Sequence, residues 1–155
     1  MKYLNLIIKW ILAILMIAVT ILTSYQVFMR FVVNNASSWS EELTRLLFVW
    51  ASFLAAGIGI KEHVHVGIDV VVGLLPKGVQ KWISVAVNAA IAAFGGWLSY
   101  GCLELMKKTT KQFSAALHYP RPLIYAAIFV FGILCVIYAV QEIILILKGK
   151  GGKEK

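Results

Sequence analysis

The sequence predicts an all-α integral membrane protein: four transmembrane helices, with a short interfacial amphipathic helix between the second and third. Three observations carry this. Four separated apolar runs take up most of the 155 residues, and a bilayer crossing needs about 20 predominantly apolar residues. Hydrophobic residues make up 61% of the chain, against roughly 45–50% in a soluble domain. The connections between runs are short, so residues 1–155 read as a single four-helix transmembrane domain with no separate soluble part.

The first span is expected over residues 8–32, around ILAILMIAVTILTSYQVFM from Ile11. Lys2 and Lys9 come before that apolar stretch, much as basic residues open a signal peptide. The apolar stretch is too long for one, and no A-x-A-like cleavage site follows, so it reads as a retained span.

The second span, over residues 39–61, is the short one. Leu46 to Ile60 reaches only about 22 Å at 1.5 Å per residue, against a hydrocarbon core of about 30 Å. Extending the helix back to Trp39 supplies the missing turns, provided that Glu41, Glu42 and Arg45 sit at headgroup depth or against another protein. A charge at a helix centre costs about 2.5–3.5 kcal/mol, whereas a Leu, Ile, Phe or Val returns only about 0.3–0.6. Ser38 and Glu41 have capping-box spacing, and Arg45 follows Glu41 by one turn, so a local ion pair is expected.

Between the second and third spans, Ile68, Val71, Val72 and Leu75 recur at i, i+3, i+4, i+7, with Asp69 and Gly73 on the other side. That pattern fits an interfacial helix over residues 66–75, stopped by Pro76; the rival is a buried loop. His63 and His65 are two residues apart and point to different helix faces. With no further Cys or His nearby they do not make the three or four ligands of a zinc site.

The third span is expected over residues 80–106, the fourth over 121–146, and a basic tail over 148–155. Four crossings put both termini on one side. Lys2, Lys9, Lys61, Lys77, Lys81, Lys148, Lys150, Lys153 and Lys155 fall there, and Arg30, Arg45, Lys107, Lys108, Lys111 and Arg121 on the other. The positive-inside tendency then places both termini in the cytoplasm. The outer cations are either the solvated end of a long third helix or a docking surface for an acidic partner. Glu104 is placed to pair with Lys107 or Lys108.

The middle of every span lacks an ionisable residue, although ion and proton pathways depend on such groups or on broken helices. Thr20, Thr23, Ser24, Gln26, Ser52, Ser84, Asn88 and Ser99 are mild polar groups, expected to bond between helices or to their own carbonyls. Ala55 with Gly59, Ala89 with Ala93, and Ala92 with Gly96 are small-xxx-small pairs that let backbones approach. One such face packs inside the bundle and another is left for a partner. Trp10, Trp39, Trp82, Tyr119 and Tyr125 read as headgroup anchors, and Trp50 and Trp97 as deeper packing residues. Cys102 and Cys135, near opposite ends of their spans and outside any C-x-x-C pair, read as small buried residues.

The stretch WSEELTRLLFVWASFLAAGIGIKEHVHVGID, through Trp39, Glu41, Glu42, Arg45, Trp50, Phe53, His65 and Asp69, resembles the signature region of the small membrane subunit of tripartite ATP-independent periplasmic (TRAP) transporters, the DctQ-like or Q subunit. HYPRPLIYAAIFVFGIL resembles the family's approach to its last helix. Ala55 departs from an expected glycine, and Glu62, His63 and Val64 replace a looser basic or glycine-containing stretch.

The resemblance implies a scaffold subunit, not an enzyme, in the bacterial inner membrane. It would support a large sodium-coupled, elevator-type permease subunit in the uptake of organic acids such as C4-dicarboxylates or sialic acid, delivered by a periplasmic substrate-binding protein. Sodium and substrate are then expected on the large subunit, and no cofactor, metal or nucleic acid on this chain. The partner-facing residues expected are Trp39, Glu41, Glu42, Arg45, Trp50, Ala55, Gly59, His65 and Asp69, and the outer docking residues Lys107, Lys108, Lys111 and Arg121. Alternatives are the small four-span subunit of a tripartite tricarboxylate transporter, the membrane anchor of an electron-transfer complex, and a small exporter.

Overall fold

Length and hydropathy make each apolar run a helix, because a backbone in lipid must satisfy every N–H and C=O within its own segment. In the computed structural model, which describes residues 2–35, 37–61 and 77–148, four helices result. They are α1 (Lys2–Phe31), α2 (Ser38–Lys61), α3 (Lys77–Thr109) and α4 (Pro122–Leu147). All four are long and apolar enough to cross a membrane. The expected interfacial helix at 66–75 lies outside the described residues.

Local chemistry sets the turns at one end of the molecule. After α1, Asn34 takes a left-handed φ of 53° and the Asn35 N–H donates to Met29 O at 3.1 Å. Asparagine tolerates that conformation at a helix C-terminus, and the bond caps carbonyls the helix leaves open. Pro122 opens α4, where its fixed φ suits the first turn and its missing N–H is not needed. Between α3 and α4 the chain makes a small closed loop. Ser114 N donates to Tyr119 O at 2.9 Å and Arg121 N to Gln112 O at 3.0 Å, with His118 at a φ of 51°.

The helices form a row and not a closed bundle. α1 packs on α2, α2 on α4, and α4 on α3, and no other pair of these helices makes backbone-level contact. Ile8, Leu54, Ile58, Leu134 and Tyr138 form the core where α1, α2 and α4 meet. α1 and α3, at the two ends of the row, keep most of their side chains exposed. Lipid tails are as apolar as leucine, so association relies on close packing and polar ties instead of on burial.

α3 shows this in its choice of face. Toward α4 it turns the stripe Ser84, Asn88, Gly95, Ser99 and Cys102, half-buried or buried, and outward it turns Trp82, Phe94, Trp97 and Tyr100. The expectation that Trp97 packs within the chain is corrected: it is 74% exposed, because the aromatic face of a helix in lipid needs no protein cover. The small pairs leave most of their members on open faces. Ala55, Ala89, Ala93 and Gly96 are exposed, whereas the close approach is made by Gly95 and Gly132. A Cβ on Gly95 would stand 2.8 Å from Gly132 O. Cys135 lies mid-helix against Gly95, not near an end, and both cysteines are buried and free.

Candidate functional site

The polar residues of the spans are mostly turned back on their own helices. Thr20 donates to Met16 O at 2.8 Å, Thr23 to Val19 O at 2.8 Å, Ser24 to Thr20 O at 2.9 Å, Asn88 to Ser84 O at 2.9 Å and Ser99 to Gly95 O at 2.8 Å. Each bond hides a hydroxyl or amide without recruiting a partner. Gln26 instead crosses to α2, where its Nε2 donates to Ser40 O at 2.9 Å and to Thr44 Oγ1. Tyr138 Oη donates to Asn5 Oδ1 at 3.0 Å, tying α4 to α1 at the opposite end.

The charged groups gather where α2 begins. Glu41 accepts from Arg45 Nη2 at 3.0 Å, an exposed pair one helical turn apart, as the spacing predicts. The capping box does not form: Ser38 is already helical, and the Glu41 carboxylate turns forward to Arg45 instead of back to the helix start. Ser40 donates to Ser37 O at 2.9 Å. Trp39 is partly exposed, its ring centroid 5.9 Å from that of Tyr25.

Glu42 is placed differently from its neighbour. Its carboxylate accepts from the Ser114 hydroxyl and from three successive backbone N–H groups of the loop between α3 and α4: Ala115 at 3.2 Å, Ala116 at 3.1 and 3.2 Å, and Leu117 at 3.0 Å. Successive N–H groups in a turn make a concavity for an anion, and bonds to an ionised acceptor are stronger than neutral ones. Glu42 therefore staples the start of α2 to the loop ahead of α4. The Trp50 indole repeats the connection deeper in the membrane, donating to Leu123 O at 3.1 Å.

Outside this staple the same end of the molecule is basic. Lys108 Nζ lies 2.7 Å from Glu104 Oε1, an exposed pair, and Arg121 Nη1 donates to Gln112 Oε1 at 3.4 Å. Lys107 and Lys111 are exposed and have no hydrogen-bonded carboxylate among the described residues. Phe113, two residues after Lys111, is 57% exposed.

Two clefts open among the described residues. One, of about 580 Å³, runs along α1, α2 and α4 past Ile8, Leu15, Leu46, Trp50, Leu54 and Leu134. No ionisable residue lines it, so it suits hydrocarbon and not an ion. The other, about 410 Å³, lies beside Tyr25, Asn35, Ser37 and Trp39. Of the candidate partner-facing residues, the structure brings Trp39, Glu41, Glu42, Arg45 and Trp50 to one half of α2, with Ala55 and Gly59 further along; His65 and Asp69 lie outside the described residues. The reading from sequence missed the acceptor role of Glu42, because its donors lie more than 70 residues away. The nearest signal was the Ser-Ala-Ala run beside HYP.

A family model described as "Tripartite ATP-independent periplasmic transporters, DctQ component" matches residues 19–149. Over 93 residues the chain is 32% identical to the C4-dicarboxylate TRAP transporter small permease protein DctQ of Vibrio cholerae, an alignment covering 60% of this chain and 40% of that one. It is 32% identical over 91 residues to the sialic acid TRAP transporter permease protein SiaT of Haemophilus influenzae, covering 59% and 15%. With the isethionate TRAP transporter permease protein DctMQ of Oleidesulfovibrio alaskensis it shares 28% identity over 130 residues, 78% and 20% of the two chains. The chain thus spans 40% or less of the length of these three relatives. The four membrane-spanning helices, the α2 signature from Trp39 to Trp50 and the match over residues 19–149 agree: this chain belongs to the DctQ component family of TRAP transporters, whose members are permease subunits and not enzymes.

Proposed function

We propose that this chain is the stationary small subunit of a TRAP transporter, widening and anchoring a larger permease subunit that binds sodium and substrate and moves in an elevator-like manner. The observation that carries this is the row of four helices with no Asp, Glu, Lys, Arg or His at mid-membrane depth among the described residues. Its charged groups sit at the helix ends, and its deep cleft is lined by hydrocarbon. Carriers need a polar site near the midplane; a row that is apolar on both faces has the character of a buttress.

The relatives support a larger partner, since the segment like this chain makes up only 15% and 20% of two longer permease polypeptides. Their names point to organic anions, and we infer uptake of an organic acid such as a C4-dicarboxylate or sialic acid. In this reading the chain lies in the bacterial inner membrane with both termini in the cytoplasm. Lys107, Lys108, Lys111 and Arg121 then face the periplasm, where a substrate-binding protein approaches.

Reconstitution tests the reading. Sealed vesicles with an inward sodium gradient are loaded with this chain alone, or with this chain, the large subunit and the binding protein, and offered labelled succinate or sialic acid. The complete set accumulates one of them and the single chain accumulates neither. Uptake by the single chain, or uptake by the large subunit and binding protein that is indifferent to this chain, refutes it.

A further inference from the structure

We propose that Glu42 is a positioning residue: it holds the loop 112–121 in the shape that presents Lys107, Lys111 and Phe113 as a docking face for an acidic partner, and does not itself contact that partner. The docking face rests on the function proposed above. The hold on the loop does not.

Both oxygens of Glu42 are fully engaged within the chain. Oε1 accepts from Ala115 and Ala116, and Oε2 from Ser114, Ala116 and Leu117. No acceptor capacity remains for an outside cation, whereas Glu41, one residue earlier, is exposed and among the described residues meets only Arg45. The anchoring helix is also the right one. α2 packs on both α1 and α4, so the staple ties the loop to the middle of the row and not to a free end.

The staple sets the direction of the face as well. Phe113 pairs with Pro120 in an isolated bridge, an extended geometry in which successive side chains point to opposite sides. Fixing Ser114 inward on Glu42, where it is buried, therefore turns Phe113 outward. Lys107 lies in the last turn of α3, and Lys111 follows the helix end, two residues before Phe113. Exposed ammonium groups on the approach to an exposed ring, Lys107 near Glu104 and Lys111 with no hydrogen-bonded carboxylate among the described residues, fit a surface that offers carboxylates around an apolar recess.

The test uses the full chain in lipid nanodiscs and, separately, the complete transporter in vesicles. In Glu42→Gln, hydrogen exchange at Ala115, Ala116 and Leu117 accelerates by about tenfold or more while the middle of α4 is unchanged, as expected for a local opening. Ser114→Ala shifts the same amides in the same direction and Ser114→Thr, which keeps the hydroxyl, does not. In the complete transporter, Glu42→Gln raises the half-saturating concentration of binding protein by about fivefold, roughly 1 kcal/mol of docking energy, while the maximal uptake rate holds. Unchanged exchange at 115–117 in both Glu42→Gln and Ser114→Ala overturns the staple. Faster exchange with unchanged half-saturation overturns the positioning role. A wild-type complex whose uptake does not depend on binding protein defeats the transport reading and the docking face together, while the exchange result still decides the staple.

Discussion

Gly95 and Gly132 meet backbone to backbone at the crossing of α3 and α4. A Cβ built on Gly132 would lie 2.7 Å from Gly95 O and would also collide with Ser99 Oγ. Neither position has room for a methyl group. Gly132→Val is therefore expected to part the two helices, with a loss of about 1–3 kcal/mol as in other overpacked sites. Gly96→Val, one residue from Gly95 and facing open space, is expected to leave stability unchanged. Thermal unfolding of the two variants in detergent checks the contrast.

The bond from Tyr138 to Asn5 joins the beginning of α1 to α4 across the core. A double-mutant cycle of Tyr138→Phe and Asn5→Leu is expected to give a coupling of about 0.6 kcal/mol, and at most roughly 1.7, the range for interhelical hydrogen bonds in membranes. Denaturant titration of the four species measures it.

Gln26 and Thr23 are near neighbours on α1 with different duties. Gln26 reaches Ser40 and Thr44 on α2, whereas Thr23 bonds only to Val19 of its own helix. Gln26→Leu should loosen the α1–α2 turn, seen as faster amide exchange over Val32–Asn35. Thr23→Val should leave that exchange as it is and change stability by less than about 0.5 kcal/mol.

Trp50 and Trp97 separate a structural indole from an outward one. Trp50→Phe keeps the ring but removes the donor to Leu123 O, and a loss of about 0.5–1.5 kcal/mol is expected. Trp97→Phe should be neutral for the isolated chain, since Trp97 stands clear of the other helices. Unfolding of the purified chain reads both; a large loss at Trp97 would contradict its placement.

Reversing charge at Lys107 and Lys111 should slow uptake when binding protein is limiting and have little effect when it is saturating, because exposed charges act mainly on encounter. Raising the ionic strength should shrink the difference between variant and wild type. Initial uptake rates over a range of binding-protein and salt concentrations check it. Lys108→Glu alone should act more weakly, since Lys108 is already paired with Glu104.

Membrane insertion and four crossings follow from the sequence alone, because the cost of leaving water depends on composition over about 20 residues and needs no knowledge of neighbours. The Glu41–Arg45 pair is equally local. The family could be recognised for the same reason, from one continuous stretch running Trp39 to Asp69. Folding in three dimensions settled everything that depends on which face meets which. The row order α1, α2, α4, α3, the Gly95–Gly132 crossing, the outward turn of Trp97 and the capture of Glu42 by Ser114 and its neighbours all join distant parts of the chain. In water, apolar periodicity marks the buried side of a helix. In lipid every side is apolar, so the pattern carries no such mark, and the inner face is chosen by small residues and by polar partners that linear spacing cannot pair.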